Sequence, residues 1–459
     1  MDTAFTSLDL PPALLPGLDA LGLDTMTAVQ ARSLPALLAG RDLLAQAPTG
    51  SGKTVAFGLA VLRRIELPTA RVQALVLCPT RELADQVGRQ LRKLGTGMAN
   101  LKLSLLYGGV ALGPQIASLQ QHDPHIVVGT PGRIQELLRK KHLHLGAVGV
   151  LVLDEADRML DMGFEEPIRE IVGKLPAQRQ TLLLSATFPA AIRTIAASLL
   201  RDPLQVQVED AAAVPEIEER FHEVDLAGKP QALAALLLAE KPESCVVFCN
   251  TRQDVAAVAA SLQALGIDAQ ALHGELEQRD RDEVLLQFAN RSCRVLVASD
   301  VAARGLDIEA LALVVNYELP GDVDGYRHRI GRTARAGRSG RAVSLVTPRE
   351  MPRALALESA TGTRLNWARL PSAPGRGAPK LAAAMATLRI DAGKTDKLRA
   401  GDILGALTGD AGLPASAVGR IDVYPTRSYV AIERGRAADA LQRLQSGRIK
   451  GRNFRVRRL

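Results

Sequence analysis

The sequence predicts two α/β domains with parallel sheets in tandem, followed by a small α+β module. Short apolar runs alternate with helical periodicities up to residue 207, and the same rhythm restarts at 219 and continues to 370. Such alternation requires crossover connections, and hence parallel strands. Two breaks without an apolar period separate the parts, at 208–218 and 371–382, and the last stretch, 383–459, reads β-α-β-β-α-β. With 459 residues, 47% of them hydrophobic, the chain exceeds one ordinary core and can fill several.

Taken in order, the chain opens with the helical pattern LPPALLPGLDALGL and a helix over 28–38. DLLAQAPTGSGKTVAFGLAVLRRI is a short strand, a glycine-rich turn and an amphipathic helix. Strands at ALVLCP, LKLSLLYG, HIVVGTP, VGVLVLDEAD and TLLLSATF then alternate with helices over 82–94, 116–119 and 134–139. EDAAAVPEIEE is polar, alanine-rich and broken by proline, which predicts a linker. Beyond it RFHEVDL, SCVVFCN, DAQALHG, CRVLVASD, ALALVVNYE and AVSLVTP supply strands, with helices over 231–239, 254–265 and 279–288. LPSAPGRGAPK, with three prolines and two glycines, is the clearest linker. The tail places ATLRID, a helix at 403–407, VGRIDVYP, RSYVAIE, a helix at 436–444 and NFRVRRL in the order of the ferredoxin-like split unit, which also carries RNA recognition modules.

The formal charge of +8 is unevenly spread: from Gly375 onward there are 17 Lys and Arg against 7 Asp and Glu, leaving residues 1–374 at −2. Basic character in one module points to nucleic acid as its partner. A solvated basic surface used only for nonspecific grip is the competing reading. Cys78, Cys245, Cys249 and Cys293 form no CxxC pair and lie away from histidines at metal-ligand spacing, so small buried thiols in a reducing compartment are expected. No run of about 18 uncharged apolar residues exists, and MDTAFTSLDL lacks a basic region followed by an apolar one. The expectation is a soluble cytoplasmic protein with no membrane partner.

The chemistry is concentrated at VLVLDEADRML, where the apolar run 150–153 ends in Asp154, Glu155 and Asp157. Open α/β sheets place ligands at the carboxyl ends of strands. Crowded acids repel one another, so their expected use is to hold Mg2+ and a water beside a nucleotide phosphate. The phosphate site is APTGSGKT: Ala47, Pro48, Thr49, Gly50, Ser51, Gly52, Lys53 and Thr54. Its glycines let backbone N–H groups close around phosphate oxygens, Lys53 supplies a point charge, and the Thr54 hydroxyl can reach Mg2+. Ala47 stands where the strict pattern has glycine.

Asp154-Glu155-Ala156-Asp157 spells a family name, and over roughly residues 5–350 the chain resembles the DEAD-box RNA helicases, with nine or more short motifs in order. The resemblance implies two RecA-like lobes, an ATP and Mg2+ requirement, RNA as partner, and a C-terminal RRM-like domain. It assigns adenine recognition to Gln30 and the isolated aromatic Phe5, ribose binding to Asp307, the Mg2+ role to Asp154 through water, and the attacking water to Glu155. Asp157 becomes a link to Ser185-Ala186-Thr187 and to His328. In HRIGRTARAGR, Arg332 and Arg335 are arginine fingers, with Ala334 where the family usually has glycine. Because Lys53 and Glu155 lie on one lobe and Arg332 and Arg335 on the other, the resemblance implies that hydrolysis requires lobe closure.

By the same resemblance, RNA contacts fall on Pro79, Thr80, Arg81, Gly108, Gly109, Thr130 and Arg133 of the first lobe and on Thr251, Arg252, Gln278, Arg281 and the region of Ser299 and Asp300 of the second. Glycines, hydroxyls and arginines suit phosphates and 2′-hydroxyls rather than base edges. Local duplex opening, without processive translocation, is what the family's mechanism implies. The tail lacks most stacking aromatics, keeping Tyr429 only, so charge at Lys394, Lys397, Arg399, Lys450, Arg452, Arg455 and Arg457 is expected to bind RNA. ALHGELEQRDRDEVLLQFAN, GDILGALTGDAGL and GRIKGRNFRVRRL resemble the DbpA subfamily, which implies recognition of large-subunit (23S) ribosomal RNA during ribosome assembly. A monomer is expected. Two rivals remain at this stage: a clamp locked on RNA by ATP without productive unwinding, and a DNA translocase.

Overall fold

The computed structural model describes the chain except residues 1, 2, 48, 49, 189, 209–216, 304–310, 335–339, 372–379, 410 and 411. The chain divides into two compact units, one built on a first sheet and the other holding a second and a third.

The first sheet has seven parallel strands: β1 Leu43–Gln46, β2 Ala74–Leu77, β3 Leu103–Leu106, β4 Ile126–Gly129, β5 Val150–Leu153, β6 Gln180–Ser185 and β7 Leu204–Gln207, in spatial order β3-β4-β2-β5-β6-β1-β7. Alternate side chains feed opposite faces: Ala74, Val76, Val150 and Val152 join one hydrophobic cluster, and Leu75, Leu77, Leu151 and Leu153 the other. Helices therefore cover both faces, which explains why β2, β4, β5 and β6 read as continuous apolar runs. The helix expected over 28–38 is Ala28–Leu38, opened by a Thr27–Gln30 capping box. The helix Arg81–Leu94 starts one residue before its expected 82, because the Thr80 hydroxyl accepts the Leu83 N–H at 3.3 Å.

This strand order sorts the motifs. β5, β6 and β1 are neighbours, so the loops after Leu153, Ser185 and Gln46 emerge side by side. On the other half of the sheet, β3, β4 and β2 bring together the loops that hold Gly108, Thr130 and Thr80.

The second sheet is also parallel: β8 Ile217–Glu223, β9 Cys245–Cys249, β10 Ala269–Leu272, β11 Val295–Ser299, β12 Leu313–Asn316 and β13 Gly340–Val346, in order β10-β11-β9-β12-β13-β8. The linker does not extend to 218, since Ile217 and Glu218 already pair with Gly340 and Arg341. β8 lies at the sheet's edge, and its charges have partners: Arg220 contacts Glu218 at 2.5 Å and Glu240 at 3.3 Å, and Tyr326 donates to Glu219 at 2.5 Å. Those paired charges mask the first residues of the strand, which the sequence places from Arg220 onward in RFHEVDL.

The third sheet is antiparallel, with β14 Met385–Ile390, β15 Val418–Val423, β16 Ser428–Glu433 and β17 Val456–Arg458 in order β15-β16-β14-β17. Leu388, Ile390, Val430 and Ile432 share a core with Ile403, Leu407, Ala440 and Leu444 of the helices Ala400–Thr408 and Ala437–Ser446. The alternate residues Thr387, Arg389 and Tyr429 turn to the opposite face, which docks on the second lobe. There Glu283 accepts from Arg389 Nη1 at 3.0 Å and from the Tyr429 hydroxyl at 3.1 Å, and Asn290 Nδ2 donates to Thr387 Oγ1 at 2.8 Å. Arg434 pairs with Asp268 at the rim of the same contact. All four cysteines are buried and unpaired. Among the described residues no helix is long and apolar enough to cross a membrane.

The docking depends on a pair whose side chains are only 6% and 12% exposed, Arg389 and Glu283. Removing one partner of such a pair leaves a buried charge and costs on the order of 3 kcal/mol. Glu283→Ala should therefore let the C-terminal domain melt in its own, earlier calorimetric transition. A single transition at the original temperature contradicts this docking.

Candidate nucleotide and RNA sites

β5 ends in acids that have left a fully buried strand without reaching water. Asp154, Glu155 and Asp157 are 3%, 7% and 5% exposed. Asp154 Oδ1 accepts the Glu155 N–H at 3.1 Å, and Glu155 itself adopts φ 52°, a left-handed conformation that costs a residue with a Cβ about 1 kcal/mol. Lys53, the first residue of the helix Lys53–Arg63, is 7% exposed and its Nζ donates to the Ala47 carbonyl. Burial pulls the Lys53 ammonium below its ordinary pKa, against the opposing pull of Asp154, Glu155 and Asp157. Burial also pushes the Asp154 carboxyl up to about 7, with Lys53 counteracting and Glu155 adding to the rise.

A buried acid of this kind has chemical room for a further cation. Among the described residues no group of three or more His, Cys, Asp or Glu could enclose a metal. Asp154 and the Thr54 hydroxyl would offer few protein oxygens, which fits Mg2+ held mainly by phosphates and water. The start of Lys53–Arg63 presents backbone N–H groups and the positive end of the helix dipole, the usual anion site.

Gln30 braces this turn. Its Oε1 accepts the Thr27 N–H at 2.8 Å and its Nε2 donates to the Gly52 carbonyl at 3.1 Å, while the Thr27 hydroxyl donates to the Ser51 carbonyl at 2.7 Å. Gly52 has φ 93°, and a Cβ there would stand 2.4 Å from Gln30 Nε2. One donor and one acceptor direction of the Gln30 amide remain for another partner. Phe5, expected near adenine, is 4% exposed in the hydrophobic cluster that contains Leu14, Leu18 and Met26. Pro48, Thr49, Asp307 and Arg335 lie outside the described residues.

The expected link from Asp157 has definite geometry. Asp157 Oδ2 accepts both the N–H and the hydroxyl of Thr187, at 3.0 and 2.9 Å. Ser185 Oγ accepts the Asp157 N–H at 3.3 Å and donates to the Thr187 carbonyl at 2.7 Å. The loop after β6 is thereby tied to the acidic turn after β5.

On the second lobe the arginine motif follows the helix Val323–Ile330, where His328 is half-buried and Arg332 is 8% exposed. Arg329, which sequence reasoning passed over, is 1% exposed and spans three strand ends. It pairs bidentately with Asp300 at 2.7 Å, donates to Asn250 Oδ1 at 2.7 Å and to the Glu318 carbonyl at 2.6 Å, and lies 5.2 Å over the Phe248 ring. Nothing in HRIGR separates this buried arginine from solvated ones. Ala334, where the family usually has glycine, has φ 55°, the region that glycine favours.

The RNA candidates divide by availability. Arg81 lies 5.1 Å over the ring of Tyr107, whose hydroxyl donates to Asp85 at 2.9 Å. Burial and the Asp85 carboxylate push that hydroxyl up to about 12. Arg133 is committed internally, donating to Gln115 Oε1 and the Val110 carbonyl at 2.9 Å each and pairing with Glu136 at 3.1 Å. It holds the loop after Gly108 and Gly109 in place rather than offering a free fork. Tyr107 and Gln115 carry no motif signal and emerge only from these contacts. Pro79, Thr80 and Thr130 are buried. Thr251 caps the helix Arg252–Ala264, and Arg252 pairs with Glu275 at 2.5 Å. Gln278 donates to Asp282 at 2.9 Å and Arg281 to the Ala302 carbonyl at 2.8 Å.

In the C-terminal domain Lys394, Lys397, Arg399, Lys450, Arg452, Arg455 and Arg457 are all exposed, and Lys450 Nζ donates to the Lys397 carbonyl at 2.9 Å. Tyr429 was expected to meet RNA. Instead its ring is 7% exposed and its hydroxyl is spent on Glu283, because the sheet face that would stack bases is the docking face.

Residues 27–195 match the DEAD/DEAH box helicase family model, 228–337 the helicase conserved C-terminal domain, and 387–458 the DbpA RNA binding domain. The chain is 52% identical over 458 residues to the ATP-dependent RNA helicase DbpA of Escherichia coli, covering all of both chains. It is 41% identical over 371 residues to the DEAD-box ATP-dependent RNA helicase CshA of Geobacillus kaustophilus, covering 81% of this chain and 79% of that one. Among solved structures, S. cerevisiae Dbp5 bound to RNA and ADP BeF3 aligns with a TM-score of 0.72 at 30% identity, covering 80% of this chain and 96% of that one. The acid cluster, its lysine and two RecA-like sheets thus belong to an RNA-dependent ATPase: the chain is a member of the DEAD-box ATP-dependent RNA helicase family, of the type that ends in a DbpA RNA-binding domain.

Proposed function

We propose that this helicase couples ATP hydrolysis to local, non-processive opening of RNA duplexes, and that its C-terminal domain targets it to large-subunit (23S) ribosomal RNA during ribosome assembly. The observation that carries the reading is the separation of tasks on the chain. Carboxylates and a lysine are buried where a nucleotide phosphate would sit, and the excess positive charge is exposed on the C-terminal domain.

In this reading Lys53 and the N–H groups of the turn through Gly52 bind the ATP phosphates, Gln30 contacts the adenine, and Glu155 orients and deprotonates the attacking water. Mg2+ would be held by Asp154 and the Thr54 hydroxyl, partly through water, and would neutralise phosphate charge. Arg332, with Arg335, stabilises charge developing on the γ phosphate. Asp157, through Ser185 and Thr187, relays the state of the nucleotide site to the neighbouring loop, with His328 as its partner on the second lobe. Phe5 supports the adenine site from within the core, and Arg133 supports the RNA surface by fixing its loop. The core motifs hold phosphates and 2′-hydroxyls, so RNA choice falls to the basic loops around Lys394, Lys397 and Lys450. The protein acts as a cytoplasmic monomer. Non-enzymatic clamping on RNA is disfavoured by the intact Glu155 and Arg332, which a clamp does not need.

Replacing Glu155 with Gln should lower RNA-stimulated ATP turnover by ~100-fold or more, the scale of a lost general base, while a fluorescent ATP analogue still binds. Equal turnover in the two proteins contradicts the assignment. Changing Lys394, Lys397 and Lys450 together to Ala should weaken binding to large-subunit ribosomal RNA by ~10-fold or more, flatten its log–log salt dependence by roughly two units, and leave binding to random single strands nearly unchanged. An equal loss on both RNAs contradicts targeting by this domain.

A further inference from the structure

Arg158 is a buried cation that the motif chemistry leaves without a role. It follows the acidic motif on the helix Ala156–Asp161, is 5% exposed, and is fixed there by its N–H to Asp157 Oδ1 at 3.1 Å and by its carbonyl to the Met162 N–H at 3.1 Å. Its Nη1 stands 3.1 Å from Glu155 Oε2, with side-chain exposures of 7% and 9%. That oxygen nevertheless forms no hydrogen bond among the described residues. The contact is one of charge without donor alignment, so it steers the carboxylate without saturating it as an acceptor. Glu155 is also held in a strained left-handed backbone conformation, φ 52° and ψ 53°. Strain and an under-bonded buried carboxylate together mark a group kept ready for a partner.

From this geometry we infer that Arg158 is a positioning residue for hydrolysis: it anchors one oxygen of Glu155 so that the carboxylate faces the attacking water. The inference rests on the assignment of Glu155 to that water. Arginine suits the task because its planar, permanently charged head sits rigidly at i+3 on the same short helix, whereas a neutral side chain would let the buried carboxylate swing toward Lys53. A carboxylate held in the wrong rotamer binds ATP normally and hydrolyses it slowly.

The test uses the full chain with saturating RNA. Arg158→Met should lower kcat for ATP by ~10- to 100-fold, with KM for ATP and RNA affinity changed less than about twofold. Arg158→Lys should recover most of that loss, and Arg158→Gln, which keeps length and polarity, should not. In a Glu155→Gln background, measured in single turnover, Arg158→Met should add less than about twofold, because the residue acts through Glu155. An unchanged kcat, a KM that rises as much as kcat falls, or a full multiplicative loss in the Glu155→Gln background each overturns the inference. If Glu155→Gln alone leaves turnover intact, the assignment of Glu155 fails instead, so the two failures are distinguishable.

Discussion

Charge burial at the end of β5 is the constraint from which the first lobe's chemistry follows. A strand covered on both faces delivers Asp154, Glu155 and Asp157 into a place where water cannot solvate them, and each must find a cation or a donor. Lys53 answers from the start of the helix after β1, Arg158 from the next turn of helix, and Thr187 with two hydrogen bonds to Asp157. The burial that pushes Asp154 up to about 7 also makes the site receptive to further positive charge. Parallel strand order supplies the neighbours, since β6 pairs with β5 on one side and β1 on the other.

The second lobe solves the converse problem with a buried guanidinium. Arg329 joins the ends of β9, β11 and β12 through Asn250, Asp300 and the Glu318 carbonyl, three residues before Arg332. Loops expected to touch RNA and the arginine expected to serve ATP therefore share one rigid support. Such an arrangement lets an RNA contact and the position of Arg332 depend on each other within a single lobe.

Much of this was readable in the sequence, for identifiable reasons. Helix 28–38 carried a capping box, β5 was an uninterrupted apolar run, and the order β-α-β-β-α-β of the tail followed from its periodicity. What escaped was whatever depends on pairing between distant residues. The strand read at RFHEVDL began too late, because the first residues of β8 carry charges that find partners within the strand and on the helix Lys229–Glu240, and Arg329 looked like any surface arginine. Tyr429 matched an RNA-binding position by type, yet Glu283, 146 residues away, claims its hydroxyl. Arg133 kept the right residue type while its hydrogen bonds went inward. Motifs report which chemistry is available; burial and partners decide which side chains deliver it.

The central proposal is that ATP hydrolysis at the acids after β5 also requires Arg332. The most direct measurement is RNA-saturated ATP turnover of Arg332→Lys, which keeps the charge but loses the planar fork. The account predicts a fall of ~1,000-fold or more, with binding of a non-hydrolysable ATP analogue retained. Turnover within a few-fold of the unaltered protein would contradict it.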